Sequence, residues 1–334
     1  MFEGFARVWT PVTLSADLRA DRPLSVNVAG TPVVLFRGRD GAPAALVDRC
    51  PHRGVALSLG KVKDGCIECP FHGWRFDSTG RVCQVPWNPD AKLDALSGIS
   101  IPAVERGGQI WIFTAPGEAP SAGPEMNDLF LREDMRVIGA TVEWKTHWTR
   151  VMENMLDWPH LPFVHAATIG RSMTKQHQGR MDIAWEARPW GAHSSISIDG
   201  AAQPGSLDFR WPNQMNLFIP IPGKTMVLAV ACMPLGADRT RLLLMMGRDF
   251  LRLPLFDPIF NWQNVKIARE DQAILESSSP AEVPPAREEQ SVRTDALTLH
   301  FRKRYYAELR GSTAEVPPRG RALPVVREER PAAE

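Results

Sequence analysis

Cys50, Pro51, His52, Arg53 and Gly54 form one compact cluster of reactive residue types. Cys69, Pro70, Phe71, His72, Gly73 and Trp74 form a second, after 16 intervening residues from His52. The two stretches supply two thiols and two imidazoles as a C-x-H pair and a C-x-x-H pair. Such a donor set serves zinc or an iron-sulfur cluster. Common zinc fingers group their cysteines in one half and their histidines in the other. Here each loop carries one of each, as two loops sharing a pair of irons require. Both cysteines then go to one iron and both histidines to the other, and neutral imidazoles leave less negative charge on the cluster, which raises its potential. The prolines, Gly54 and Gly73 suit tight loops that bring backbone N–H groups near the sulfurs. Cys66 and Cys83 fall outside the pattern and read as small buried apolar residues.

A second constellation lies between Glu153 and His165. On a helix Asn154, Asp157 and His160 are three apart and share a face. His165 follows five residues after His160. A helix that ends near Pro162 and turns could return His165 to meet His160 at one metal. Two histidines and one carboxylate form the facial set that suits non-haem Fe(II) and leaves positions open for O₂. A later helical stretch offers the carboxylate. Asp271 has Ile267, Ala268, Ile274 and Leu275 at helical spacing around it, and an acid on an apolar face is costly unless paired or metal-bound. A buried, salt-bridged acid is the bland alternative. Glu270 is the other choice of ligand, but Lys266 four residues before it gives it a solvated explanation. His147, His177, His193 and His300 read as structural or exposed.

These motifs together resemble the Rieske non-haem iron oxygenases, over nearly the whole chain and most closely the short α-subunits of the phthalate, vanillate and dicamba group. The resemblance implies a [2Fe–2S] cluster on Cys50, His52, Cys69 and His72, and mononuclear Fe(II) on His160, His165 and Asp271. It implies that Asp157 bridges the cluster to the iron of a neighbouring subunit, and places Asn154 near the iron. Electrons from NAD(P)H would arrive through a separate reductase or ferredoxin, then pass along a His72–Asp157–His160 path. Oxygen would be activated beside an apolar substrate, giving hydroxylation, often followed by loss of a methyl group as formaldehyde. The chain carries no convincing flavin or nicotinamide fingerprint, in keeping with a separate reductase. Members of the family are trimers with head-to-tail contacts, so a homotrimer is expected.

The elements that must position these residues form two groups. To about residue 117, short apolar runs alternate with turn signals, as in Thr31 to Phe36 and Ala44 to Val47, joined through Asp40-Gly41. Residues 115–124 are rich in Pro and Gly and read as a linker. A strand near Met135 to Thr146 and a helix near His147 to Trp158 follow, then six apolar or alternating runs between Met181 and Phe250 that suggest an antiparallel meander. Helices are expected from Pro258 to about Ser277 and within Ser291 to Leu309, and an extended or poorly ordered tail from about residue 311. The fold class is α+β: an all-β Rieske domain over 1–117, then a helix-grip (START-like) catalytic domain with an antiparallel sheet over 125–334. A pocket between helix and sheet would draw on some of Met215, Leu217, Phe218, Met226, Leu228, Met245 and Phe250, fitting a bulky, mostly apolar aromatic or sterol-like substrate.

Composition excludes several classes. The 334 residues carry 39 basic and 38 acidic side chains, a net charge of +1, which points to neither nucleic acid nor an anionic membrane. Five cysteines are too few for a disulfide scaffold. The N-terminal residues lack the features of a signal peptide and the longest apolar runs are too short to span a bilayer, so the chain reads as cytoplasmic. Without the second constellation, a Rieske electron-transfer or redox-sensing protein would be the alternative, or a zinc-stabilised binding module.

Overall fold

Runs of Val, Ile, Leu and Phe broken every few residues by Gly, Pro or Asp-Gly are too short for stable helices and pair readily as strands. In the computed structural model, which describes residues 1–176 and 178–315, such runs build the first of two compact units, Met1–Pro124 together with the segment from Gly311. His177 and residues 316–334, most of the expected tail, lie outside the described residues.

The first unit has three antiparallel sheets. One joins β1 (Trp9–Leu14), β10 (Ala103–Arg106) and β11 (Gln109–Phe113), with β11 central. Another runs β2 (Leu24–Val28), β3 (Thr31–Arg37), β4 (Pro43–Val47), β9 (Ser100–Ile101). Gly41, at φ +78°, turns the chain between β3 and β4. The smallest sheet runs β5 (Lys61–Lys63), β6 (Cys66–Glu68), β7 (Arg75–Phe76), β8 (Val82–Gln84) and carries the second cysteine-histidine loop. Val34, Phe36, Leu46, Leu57, Ile67 and Phe76 form one apolar cluster that also holds Cys50 and Cys69. In β8 the register jumps, Phe76 pairing with Val82 and Arg75 with Gln84, so Cys83 is the extra residue of a bulge. Gly311 to Glu315 return to the start of the chain, where Gly4 N donates to Ser312 O at 2.7 Å and Ala314 N to Met1 O at 2.9 Å.

The second unit, Glu125–Arg310, is a seven-stranded antiparallel sheet in the order β12 (Arg136–Trp144), β18 (Thr240–Arg248), β17 (Lys224–Pro234), β16 (Gln214–Ile221), β15 (Ala201–Arg210), β14 (Gly191–Ile198), β13 (Met181–Arg188). The meander is therefore sequential from β13 to β18, and β12 closes against β18. Helix α1 (Trp148–Leu156) packs on β16 and β17, α3 (Asp257–Glu276) packs on β12 and β18, and α4 (Ala296–Glu308) packs on α1. An all-β unit followed by this helix-on-sheet unit matches the expected α+β class. Among the described residues no helix is long and apolar enough to cross a membrane.

Two features fix α1. His147 caps its N-terminus, accepting from Thr149 N. Buried Arg150 and Glu153 on α1 join Arg302 of α4 and Glu289 in one ion network, with Arg150 to Glu289 at 2.5 Å and Arg302 to Glu153 at 2.9 Å. Removing one partner from such a network strands a buried charge, at a cost of about 3–5 kcal/mol.

The helix expected near His147 to Trp158 ends at Leu156 and does not carry on to His160 or Pro162. Asp157 is its C-cap, extended at φ −90°, ψ 120°, because Pro159 follows two residues later and cannot donate to a continuing helix. Pro162 instead lies in the first turn of a separate short helix, α2 (Leu161–Val164). Asn154 and His160 thus sit on different elements rather than on one helical face.

Candidate functional site

The two cysteine-histidine loops fold alike. Cys50 N donates to Val55 O at 2.8 Å and Gly54 N to Cys50 O at 2.9 Å; Cys69 N donates to Trp74 O at 2.8 Å and Gly73 N to Cys69 O at 3.0 Å. Each loop turns on a glycine with positive φ, +77° at Gly54 and +69° at Gly73, a conformation that strains any residue with a Cβ. The cysteines are each 2% exposed, whereas His52 is half-buried and His72 exposed. The imidazole rings lie 4.7 Å apart, and His52 stacks on Trp74 at 4.6 Å. Burial, with help from the Cys69 thiol, pushes the Cys50 thiol up to about 11. Binding a cluster must therefore displace the proton of the Cys50 thiol. Burial and the charges of His72 and Arg53 lower the His52 pKa, favouring the neutral imidazole that binds metal.

The second site draws on α1, α2 and α3. His160 Nε2 lies 3.8 Å and His165 Nε2 3.2 Å from Asp271 Oδ1, and these three ligand atoms all fall within 4.8 Å of one another. Each histidine is aimed from behind. Asp157 Oδ2 accepts from His160 N at 3.1 Å and meets its Nδ1 at 3.2 Å. Glu270 Oε2 meets His165 Nδ1 at 2.8 Å and accepts from Thr168 Oγ1 at 2.7 Å. Carboxylates on both Nδ1 atoms leave the Nε2 lone pairs for a metal, as the outer shell of a histidine site does. Glu270 is thus not a solvated partner of Lys266, whose ammonium lies over the Trp262 ring. Asp271 is 3% exposed, and its Oδ1 accepts no hydrogen bond among the described residues. A buried carboxylate oxygen left open toward two imidazoles fits a divalent cation. Burial opposes protonation of His165, but Asp271 and Glu270 outweigh it and raise its pKa.

Asp157, His160 and Asp271 line one side of a largely apolar cavity. Met215, Leu217 and Leu228 line it as expected, joined by Leu207, Val230 and Leu244. Phe218, Met226, Met245 and Phe250 do not. Phe218 and Met245 adjoin Leu217 and Leu244 along their strands and so point to the opposite face. Phe250 lies past the end of β18 and packs against Phe260, and Met226 lies nearer the start of β17. Asn154 lines the cavity, as does Asn264, which sequence reasoning missed. Both Nδ2 atoms are buried without a hydrogen-bond partner among the described residues. The signal for Asn264 was its place seven residues before Asp271, two helical turns along the same face. Among the described residues no Arg or Lys lines the cavity.

Residues 8–97 match the family described as the Rieske [2Fe-2S] domain, and residues 144–309 match the vanillate O-demethylase oxygenase C-terminal domain. The chain belongs to the Rieske oxygenases. It is 29% identical over 326 residues to methylxanthine N3-demethylase NdmB of Pseudomonas putida, covering 92% of this chain and 90% of that protein. It is 29% identical over 298 residues to the chloroplastic chlorophyllide a oxygenase of Chlamydomonas reinhardtii, covering 82% of this chain and 43% of that one. The chain spans about half the length of the chlorophyllide a oxygenases it matches. The structure of NdmA from Pseudomonas putida CBB5 aligns with a TM-score of 0.76 at 24% identity, covering 90% of this chain and 89% of that one. That alignment shows a shared fold. As a Rieske oxygenase, the chain has a first unit of the kind that carries a [2Fe–2S] cluster.

Proposed function

We propose that this chain is the terminal component of an oxygenase that takes electrons from a separate reductase or ferredoxin, and hydroxylates or oxidatively demethylates a bulky, mostly apolar aromatic or polycyclic substrate. The observation that carries this reading is the convergence of His160 Nε2, His165 Nε2 and Asp271 Oδ1, with His160 and Asp271 on the wall of an apolar cavity. A mononuclear Fe(II) on these three ligands would supply O₂ reduction and C–H oxidation, fed from a cluster on Cys50, His52, Cys69 and His72.

The chain's own residues prepare that chemistry. Asp157 holds the His160 Nδ1 proton and Glu270 that of His165, fixing both tautomers. The leucine, methionine and valine lining keeps water from the reacting centre, and the lack of a lysine or arginine favours an uncharged ligand. The open Asn154 and Asn264 amides would orient a carbonyl, hydroxyl or ether oxygen within it. Electron entry is read as intermolecular. His72 is exposed and the Asp157 side chain is 27% exposed beside His160, so a head-to-tail homotrimer would set one subunit's His72 against its neighbour's Asp157.

The test is O₂ uptake by iron-replete protein with NAD(P)H and a surrogate reductase, screened against uncharged aromatic and sterol-like compounds. Uptake matched by a hydroxylated or demethylated product is expected. A fully loaded protein whose cluster is reduced, yet which turns over none of them, would instead be an electron carrier.

A further inference from the structure

Cys66 and Cys83 have no part in the cluster pattern or in the second site, yet their sulfurs lie 3.3 Å apart. The contact has a structural cause. Cys66 opens β6 and is 5% exposed. Cys83 is the bulge residue of β8, and a bulge re-aims its side chain relative to the regular alternation. The expectation that both are small buried residues therefore fails for Cys83, which is exposed. One thiol of the pair meets solvent and the other lies behind it. Cys232, by contrast, is 0% exposed and out of reach of any reagent.

The two positions also bracket the second ligand loop. Between them lie Cys69, His72 and Trp74, and the Glu68–Arg75 ion pair at 2.7 Å that closes the loop's base. We propose that Cys66 and Cys83 are a thiol–disulfide site, reversibly oxidised by a low-molecular-weight disulfide, whose bond staples the ends of the loop presenting Cys69 and His72. Exposed Cys83 loses its proton and attacks one sulfur of glutathione disulfide, and the first glutathione leaves as a thiolate that takes up the proton. Cys66 then attacks the Cys83 sulfur of the mixed disulfide and expels the second glutathione with its own proton. Two protein thiols are oxidised and one glutathione disulfide is reduced to two glutathiones. A disulfide requires sulfurs about 2.05 Å apart, so the pair closes by roughly 1 Å. Partial shielding of the Cys83 sulfur from water and the neighbouring Cys66 thiol push it up to about 12, so the exchange is slow near neutrality and accelerates as pH rises.

The experiment uses cluster-loaded protein, reduced and desalted, then incubated with glutathione disulfide at several pH values. Residual thiols are alkylated and peptides mapped without reduction. A Cys66–Cys83 cross-linked peptide, two hydrogens lighter than its reduced parts and lost on treatment with dithiothreitol, is expected, with Cys232 unmodified. C83S should give none. Alkylation of both Cys66 and Cys83 after oxidation, or glutathione retained on Cys83, overturns the site. The staple is tested by bleaching of the cluster's visible absorption with a chelator, expected to slow several-fold in oxidised wild type and not in C83S. Equal bleaching of oxidised and reduced wild type overturns that role. Neither readout depends on oxygenase turnover.

Discussion

The loops of the first unit take all four candidate ligands from residues 50–72, whereas the second site joins His160 and His165 to Asp271, more than 100 residues further along. The first is positioned by a repeated local pattern, a cysteine whose carbonyl accepts from a glycine four residues on. The second depends on α3 settling on β12 and β18 so that its Asn264–Asp271 face meets α1 and α2. Their polarity differs too. In the loops the histidines lie toward solvent and the cysteines inside. At the second site His165 and Asp271 are nearly inaccessible. A site built from local turns tolerates change elsewhere in the chain; one assembled from distant elements inherits the stability of their packing.

The comparison can be broken most sharply by paired ligand substitutions. Cys69→Ala should abolish the cluster's visible absorption while leaving mononuclear iron bound. Asp271→Ala should abolish that iron and O₂-coupled turnover while leaving the cluster spectrum intact, with iron and sulfide analysis as the measure. If Asp271→Ala also strips the cluster, the two sites are not independent. Glu270→Gln probes the aiming of His165 and should weaken iron affinity by about 10–100-fold, read by equilibrium dialysis.

Acid should act on the second unit through α1 and its partners. Burial lowers His147 from 6.5 to about 4, so the unfolded chain binds its proton first. That contribution to stability is present above pH 6.5 and drains as pH falls toward 4. Arg150, then Arg302, hold Glu289 down from 4.5 to about 2, so its contribution drains from pH 4.5 toward 2. Urea unfolding followed by tryptophan fluorescence should show both phases, and His147→Asn, which keeps a capping side chain, should flatten the first. The smallest expected effect is at Asn264. Replacement with Leu should raise the KM of an oxygen-bearing substrate roughly tenfold, the worth of about one hydrogen bond, with little change for its hydrocarbon analogue.

The same contrast explains what could be read in the sequence. The strands of both units were legible because alternation and Asp-Gly or Gly-rich turns are local signals. So were the cluster loops, whose ligands and glycines lie side by side. The end of α1 near Trp158 was legible, but the expected shared face of Asn154, Asp157 and His160 fails, because Pro159, nearer than Pro162, was overlooked as the breaker. Glu270 was assigned to Lys266 because helical spacing shows same-helix neighbours but not that the side chain meets His165, 105 positions away. The cavity lining was recovered only at Met215, Leu217 and Leu228, since a strand's alternation tells which residues share a face but not which face looks inward. Cys83 was misplaced because a bulge breaks that alternation.

The return of residues 311–315 to the chain's start has a consequence for biosynthesis. The first unit is split in sequence, with Glu125–Arg310 inserted between its parts. Its strands leave the ribosome early, but the bonds from Gly4 to Ser312 and from Ala314 to Met1 wait until the whole second unit has been translated. Domains fold largely as they emerge, so the unit that begins first is the one finished last.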